Sequence, residues 1–430
     1  KAAEMLGLRD VNVNARFHPD VNSSRYLKRL CEVNIITAGT PSMHNDRAVF
    51  AALSPHSYPK KDLRDWSATG CVEPTITGKH MGHTGSILFN LVAPLEMALN
   101  NGTHPLMNWD PGPKTGRIDT GDFACFDDFF RAFASQTEFL IRQASDFNNM
   151  LAHAHADHRP TPLLSALMDG AIEKARDVTS GGARYNTSGT SNIGLADVTD
   201  SLMAVKHLVF DKKTISFGRL KTAVDANFEN DPALHAIIMT KVPKFGSGNP
   251  EAVTMANRVA RMVHNIHTGL TNFRGGRYTT GFWSMSQHVA YGSLSGALPS
   301  GRLYGKAFTP GLTPHPSASK NFLDNIRDVA QLDPECMDNN IAFNVKLNLS
   351  PEDSREQSVD IMASYVKTYF DLGGMQLQFN VVTSETLKDA MAHPENYSHL
   401  MVRISGYNAY FTMLNREIQT ELIERAEFGT

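Results

Sequence analysis

The chain has 430 residues, enough for a large core or for two to three domains, and its 41% hydrophobic and 20% charged residues are ordinary for a globular protein. A formal net charge of −3 gives no basis for a nucleic-acid or anionic-membrane partner. The four cysteines, Cys31, Cys71, Cys125 and Cys336, have neither paired zinc spacing nor the density of a secreted disulfide framework, which points to a reducing, cytosolic setting.

The pattern begins as a helix, at Lys1 rather than at a methionine. An extended segment is expected from Val11 to Phe17, then a helix from Ser24 that Ser23 and Ser24 can cap. Gly39-Thr40-Pro41 ends that helix, and Asn45 and Asp46 read as a loop. Ser67-Ala68-Thr69-Gly70-Cys71-Val72-Glu73-Pro74-Thr75 comes next. It sets a thiol two residues from a carboxylate, between a glycine that allows a tight loop and a proline that stops a helix from continuing. In an extended loop Cys71 and Glu73 point to one side, so one substrate can touch both. A lone cysteine is more often a small buried hydrophobe, and that reading of Cys71 stands beside the catalytic one.

Gly78-Lys79-His80-Met81-Gly82-His83-Thr84 follows, with two histidines suited to ligation, to acid/base work or to holding the loop under Cys71. Ser86 to Asn100 has helical spacing, with Leu88, Leu91, Val92, Leu95 and Leu99 on one face. This longest apolar stretch contains Asn90, Pro94 and Glu96 and cannot span a bilayer. Residues 108 to 122 read as a long surface loop, and an amphipathic helix runs from Asp127 and Asp128 toward Leu151. His153-Ala154-His155-Ala156-Asp157-His158 then matches the H-x-H-x-D-H signature of metallo-β-lactamase-type hydrolases. That signature normally follows an apolar strand, whereas here it follows a helix. A zinc metallohydrolase on His153, His155, Asp157 and His158 is therefore the alternative of another class, and no bound metal is the main expectation.

Pro162 to Asp177 is expected to be helical. Gly181-Gly182-Ala183-Arg184-Tyr185-Asn186 is a glycine loop without the order a dinucleotide site needs. An amphipathic helix is expected at Ala196 to Val209, a strand, turn and helix at Thr214 to Asn227, and helices from Pro232 and at Glu251 to Thr268. Arg274-Gly275-Gly276-Arg277 turns into a buried strand ending near Trp283. Strands at Asn340 to Leu349 and Met375 to Val382 flank a helix at Pro351 to Leu372, a βαβ pattern. The last helix spans Asn415 to Glu427. The fold class is α/β.

Before that helix stands Arg403-Ile404-Ser405-Gly406-Tyr407-Asn408-Ala409-Tyr410-Phe411. A glycine in such a strand-like run marks a bulge or a close backbone approach. It is also the residue whose α-carbon radical its own amide and carbonyl stabilise, with no side chain to oppose planarity.

Together the Cys71 and Gly406 stretches resemble the glycyl radical enzymes, the superfamily that includes pyruvate formate-lyase. The likeness rests on R-[IV]-[SA]-G-[YF] at Arg403 to Tyr407, with Gln419 and Ile423 following, and on Gly70-Cys71-Val72-Glu73-Pro74. It continues through Gly39-Thr40-Pro41-Ser42, Asn45-Asp46, Gly181-Gly182-Ala183, Asp200-Ser201-Leu202, Gly296-Ala297-Leu298-Pro299 and Gln378-Phe379-Asn380-Val381-Val382, and so covers nearly the whole chain. It implies part of a ten-stranded barrel of two antiparallel five-stranded halves surrounded by helices. Residues 1–300 would supply the barrel part with the Cys71 loop, and residues 301–430 the glycine radical domain. Superfamily chains are longer, so the resemblance also implies an N-terminal half carrying one side of the pocket.

The resemblance implies a radical at Gly406, installed post-translationally by a radical S-adenosylmethionine activating enzyme, with no bound cofactor. Cys71 becomes the thiyl that takes hydrogen from substrate, and Glu73 is the base. Pyruvate formate-lyase has a second adjacent cysteine where this chain has Gly70 or Val72, so its acyl transfer is not expected. The Cys-x-Glu pattern is similar to the branch acting on hydroxylated or carboxylated substrates. Pro74-Thr75 with Gly78 to Thr84 looks most like isethionate sulfite-lyase. Diol or hydroxyproline dehydratases and arylacetate decarboxylases are the alternatives, and an inactive chain that keeps the fold is a further one. Arg277 and Trp283 are the substrate-binding candidates. A homodimer in the cytoplasm, or inside a bacterial microcompartment, is expected.

Overall fold

The computed structural model describes residues 2–6, 12–107, 109–319, 321–347 and 352–427. In chain order its strands are β1 (Asn14–Phe17), β2 (Ser42–Asn45), β3 (Trp66–Thr69), β4 (Glu73–Ile76), β5 (His80–Met81), β6 (Ile87–Asn90), β7 (Tyr185–Ile193), β8 (Arg277–Gly281), β9 (Asn344–Lys346), β10 (Gln376–Asn380), β11 (Met401–Arg403) and β12 (Asn408–Tyr410). Helices lie between several of them, and none among the described residues is long and apolar enough to cross a membrane.

Two sheets carry the body. In one, β1 runs parallel to β2, β10 is antiparallel to β2 with Leu377 opposite Met43, and β9 lies parallel to β10 with Gln378 opposite Asn344. The helix Arg355–Asp371 links β9 to β10, the expected βαβ unit. In the other sheet β7 is central: β5 and β6 occupy one edge of it in succession and β8 the other, all parallel. A bridge joins the sheets, where Phe282 donates to Asn340 O at 2.8 Å and accepts from Ala342 N at 3.2 Å. The α/β class holds, but among the described residues no closed sheet forms, so the expected ten-stranded barrel is not what these strands show by themselves.

Several local expectations are corrected. Ser86 to Asn100 is not one helix. It is β6 followed by a helix at Ala93–Leu99, because Asn90 Oδ1 accepts from Val92 N and Ala93 N and Pro94 sits in the first turn, where its missing N–H is harmless. Asn45 and Asp46 are not loop: Asn45 ends β2 and caps the helix Asp46–Leu53, while its Nδ2 donates to Phe370 O and Gly374 O. The helix from Pro162 stops at Ala166, and turns follow in which Gly170 and Ala175 have positive φ. Thr214 to Asn227 holds only the helix Phe217–Asp225, capped by Ser216. The helix expected at Ala196 to Val209 is Leu195–Ala204, with all ten residues buried and so no solvent-facing side, followed by a π-helical segment, Val205–Asp211.

β7 escaped sequence reading because its hydrophobic signal is absent. It reads Tyr-Asn-Thr-Ser-Gly-Thr-Ser-Asn-Ile, yet Thr187 to Ile193 are buried. Its polar side chains are met by the neighbouring backbone: Thr190 Oγ1 donates to Thr279 O at 2.8 Å and Asn192 Nδ2 to Gly281 O at 3.0 Å. Most of the chain packs around one large core, from Phe17 to Phe379. The end of the chain has a core of its own, built from Leu387, Val402, Ile404, Phe411, Leu422 and Ile423.

Candidate active site

β3 and β4 pair antiparallel with Thr69 opposite Glu73, which leaves Gly70-Cys71-Val72 as the turn. Gly70 takes φ 75°, a region glycine enters without steric cost. The turn is therefore tight and not extended, and the carboxylate folds back beneath it. Glu73 Oε2 accepts from Cys71 N at 2.7 Å and from Val72 N at 2.6 Å. On the other side Asn12 Nδ2 donates to Gly70 O and Cys71 O, both at 3.3 Å. Burial pushes Glu73 up to about 7, against the lowering effect of those two N–H donors. Burial, and then the Glu73 charge, push the Cys71 thiol up to about 11, so at neutral pH it is a thiol. A thiol is the form that can give up a hydrogen atom.

The second loop joins β11 to β12, with Ile404 N donating to Tyr407 O at 3.0 Å. Gly406 has φ 89°. Trp283 Nε1 donates to Ser405 O at 2.8 Å, and Gly406 N donates to Gln378 Oε1 at 3.1 Å. Gly406 lies directly against the Cys71 turn. A Cβ built on it would fall 2.7 Å from Cys71 Cβ and 2.6 Å from Trp283 Nε1, closer than real side-chain atoms come. Residues 335 positions apart in sequence thus meet in space, with no room at position 406 for any other side chain.

Of the residues singled out in the sequence, Cys71, Glu73, Gly406 and Trp283 come together. Trp283 packs with Val72 and Ala342 and acts as a strut for the glycine loop rather than as an open pocket wall. Arg277 does not join them. It is exposed at the start of β8, six residues before Trp283, or roughly 20 Å along an extended strand. His80 is half-buried, hydrogen-bonded to Thr187 Oγ1 at 2.8 Å, and loss of solvent around its ring lowers it to about 3. Burial likewise lowers His83 to about 4. The H-x-H-x-D-H run lies inside the helix Phe126–His158, where His153, His155, Asp157 and His158 are exposed and His153 pairs along the helix with Asp157 at 3.3 Å. No group of three or more His, Cys, Asp or Glu suited to a metal ion occurs among the described residues.

Sequence reasoning gave no role to Gln378, Arg403 or Asn12. Arg403 is buried, at 1% exposure, and among the described residues its side-chain partners are neutral: Gln378 Oε1 at 2.9 Å, Asn12 Oδ1 at 2.8 Å and Asn408 Oδ1 at 3.2 Å. The signal available was its place at the head of the Gly406 motif.

Residues 1–292 match the family model described as pyruvate formate lyase-like, and residues 308–412 match the one described as glycine radical. Over 404 residues the chain is 33% identical to trans-4-hydroxy-L-proline dehydratase of Clostridioides difficile, covering 94% of this chain and 51% of that protein. It is 28% identical to isethionate sulfite-lyase of Desulfovibrio desulfuricans, covering 96% of this chain and 50% of that one. Among solved structures, the glycerol-bound B12-independent glycerol dehydratase from Clostridium butyricum superimposes with a TM-score of 0.94 at 32% identity, over 99% of this chain and 53% of that one. The chain spans about half the length of each of these relatives. With a thiol turn packed against a glycine that tolerates no side chain, and with both family models matched, the chain belongs to the glycyl radical enzymes of the pyruvate formate-lyase superfamily.

Proposed function

We propose that this chain carries the radical glycine and the thiyl cysteine of a lyase that removes a leaving group from a small hydroxylated substrate. The observation that carries the reading is the apposition of Gly406 and Cys71. A radical S-adenosylmethionine activating enzyme removes one hydrogen atom from Gly406 Cα. The glycyl radical then takes the hydrogen atom of the Cys71 thiol and reverts to glycine. The thiyl takes a hydrogen atom from the substrate carbon that bears the hydroxyl. Thiol and glycyl C–H bonds are similar in strength, so contact distance controls the relay.

Glu73 takes the hydroxyl proton, and the electron-rich carbon radical expels the leaving group from the next carbon. For dehydration, the proton held by Glu73 leaves with the departing hydroxide as water. The resulting carbonyl-stabilised radical recovers its hydrogen atom from Cys71. A carboxyl pushed up to about 7 suits both halves of this exchange near neutral pH.

Loss of water is the first reading, supported by the dehydratases among the relatives. The hydroxyproline dehydratase is 33% identical and the glycerol dehydratase 32%, while the isethionate sulfite-lyase is 28%. Release of sulfite from isethionate is the second reading, supported by four such sulfite-lyases at 26–28% identity. In the intact polypeptide the two sheets become part of the superfamily barrel, residues 1–300 and 301–430 act as barrel and radical domains, and the protein works as a cytoplasmic dimer. The test is anaerobic activation of the intact polypeptide, followed by glycerol, 1,2-propanediol or isethionate. Substrate loss with either of the first two supports dehydration, sulfite from isethionate supports the second reading, and no glycine-centred paramagnetic doublet after activation overturns both.

A further inference from the structure

Gln378 has no assigned part in this chemistry, yet it is the residue that holds the Gly406 amide. Its side chain enters from β10, fully buried at 1% exposure, and its Oε1 accepts twice: from Gly406 N at 3.1 Å and from Arg403 Nε at 2.9 Å. Its Nε2 donates to Asn344 Oδ1, and Asn344 is in turn tied through Nδ2 to Pro310 O at 3.3 Å and Thr313 Oγ1 at 3.2 Å. The amide therefore cannot flip, because the Asn344 bond fixes which end is oxygen. Arg403 brings to the same oxygen a guanidinium that has no carboxylate partner among the described residues, and burial lowers it to about 10, still charged at neutral pH.

Resting on the radical reading of Gly406, we propose that Gln378 is a positioning residue for the glycyl radical. Its oxygen fixes the plane of the 405–406 peptide and draws on the Gly406 N–H, which makes that nitrogen a better donor to the adjacent radical carbon. Arg403 locks the oxygen in place and joins it to the Asn12 side chain that also holds the Cys71 turn. One hydrogen-bonded chain thus sets both ends of the hydrogen-atom relay. A merely structural glutamine would matter for folding and leave the radical's signature unchanged.

The experiment uses the intact polypeptide, anaerobically activated, as Gln378→Met and Gln378→Glu variants. Methionine keeps the length and loses the acceptor; glutamate keeps the acceptor beside Arg403 and gives up only the Nε2 donation to Asn344, on the side away from Gly406. For Gln378→Met we expect a doublet with altered splitting that decays about fivefold faster than the parent's, the effect of one lost hydrogen bond. For Gln378→Glu we expect parental splitting and decay. Parental splitting and decay in Gln378→Met overturn the proposal, as does equal loss in both variants when thermal melting shows both folded. If Gln378→Met does not fold, Gln378→Asn takes its place, since the shorter side chain stays polar but draws the acceptor away from Gly406 N: altered splitting or faster decay supports the proposal and a parental signal overturns it. Absence of a doublet in the parent marks failure of the radical reading itself, a distinct result.

Discussion

Gly406 and Cys71 face each other so closely that a methyl group at position 406 would overlap Cys71 Cβ at 2.7 Å. The glycine also holds φ 89°, where an L side chain is strained. Gly406→Ala therefore loses the radical site and disturbs the loop at once. We expect no glycine-centred doublet after activation and no turnover. Strain and overlap together predict a loss of roughly 2–4 kcal/mol in stability, read by thermal or denaturant unfolding.

Cys71→Ser separates the two ends of the relay. The turn is built from backbone and from Glu73 Oε2, so serine fits it. The doublet at Gly406 is expected at parental yield, because activation involves only that residue. Substrate turnover is expected to vanish, since an O–H bond is too strong for the glycyl radical to break. Paramagnetic resonance and product analysis on one sample check both halves; turnover in this variant would remove Cys71 from the mechanism.

Glu73 predicts a pH dependence with a definite sign. Burial raises it from 4.5 to about 7, so the native state holds this proton more tightly than the unfolded chain does. Between those two values the native state binds more protons, and stability falls as pH rises through the window. Glu73→Gln abolishes that slope. Relative to the parent it is expected to gain nothing below pH 4.5 and up to roughly 3 kcal/mol above pH 7, measured by urea unfolding across pH. Turnover is expected to fall by about 10²–10⁴ while the doublet persists, the usual contribution of a general base.

Trp283→Phe tests the strut. It deletes the N–H that Ser405 O accepts at 2.8 Å and keeps the ring. One hydrogen bond of about 1 kcal/mol predicts roughly fivefold faster amide exchange at Ser405 to Tyr407. The separate small core of the chain's end makes this local opening possible without unfolding the body. Unchanged exchange would show that the strut does not hold the loop.

The exposed His155 distinguishes the metal reading. His155→Ala is expected to leave turnover and zinc content at parental values and to shift stability by no more than about 0.5 kcal/mol, as for surface positions in general. Stoichiometric zinc in the parent, lost in the variant, would revive the metallohydrolase alternative.

Much of this was readable from residues alone. Cys71, Glu73 and Gly406 stand in short stretches whose glycine, proline and polar order constrains the backbone locally, and the βαβ unit ending in β10 follows from periodicity. β7 was not readable, because its buried positions are Thr, Ser and Asn satisfied by neighbouring strands. The split at Asn90 was missed because one side-chain cap outweighed an apolar helical pattern.

By itself, then, the order of amino acids named the residues proposed to carry the chemistry, since a candidate radical glycine and a thiol with its carboxylate are properties of residue type and local backbone. Only the tertiary structure decided that Glu73 folds under its own turn, that Arg277 stands apart while Trp283 braces the glycine loop, and that Gln378 grips the Gly406 amide. Those are contacts between segments far apart along the chain, and their partners are fixed by packing and hydrogen-bond satisfaction in three dimensions, which no local pattern encodes.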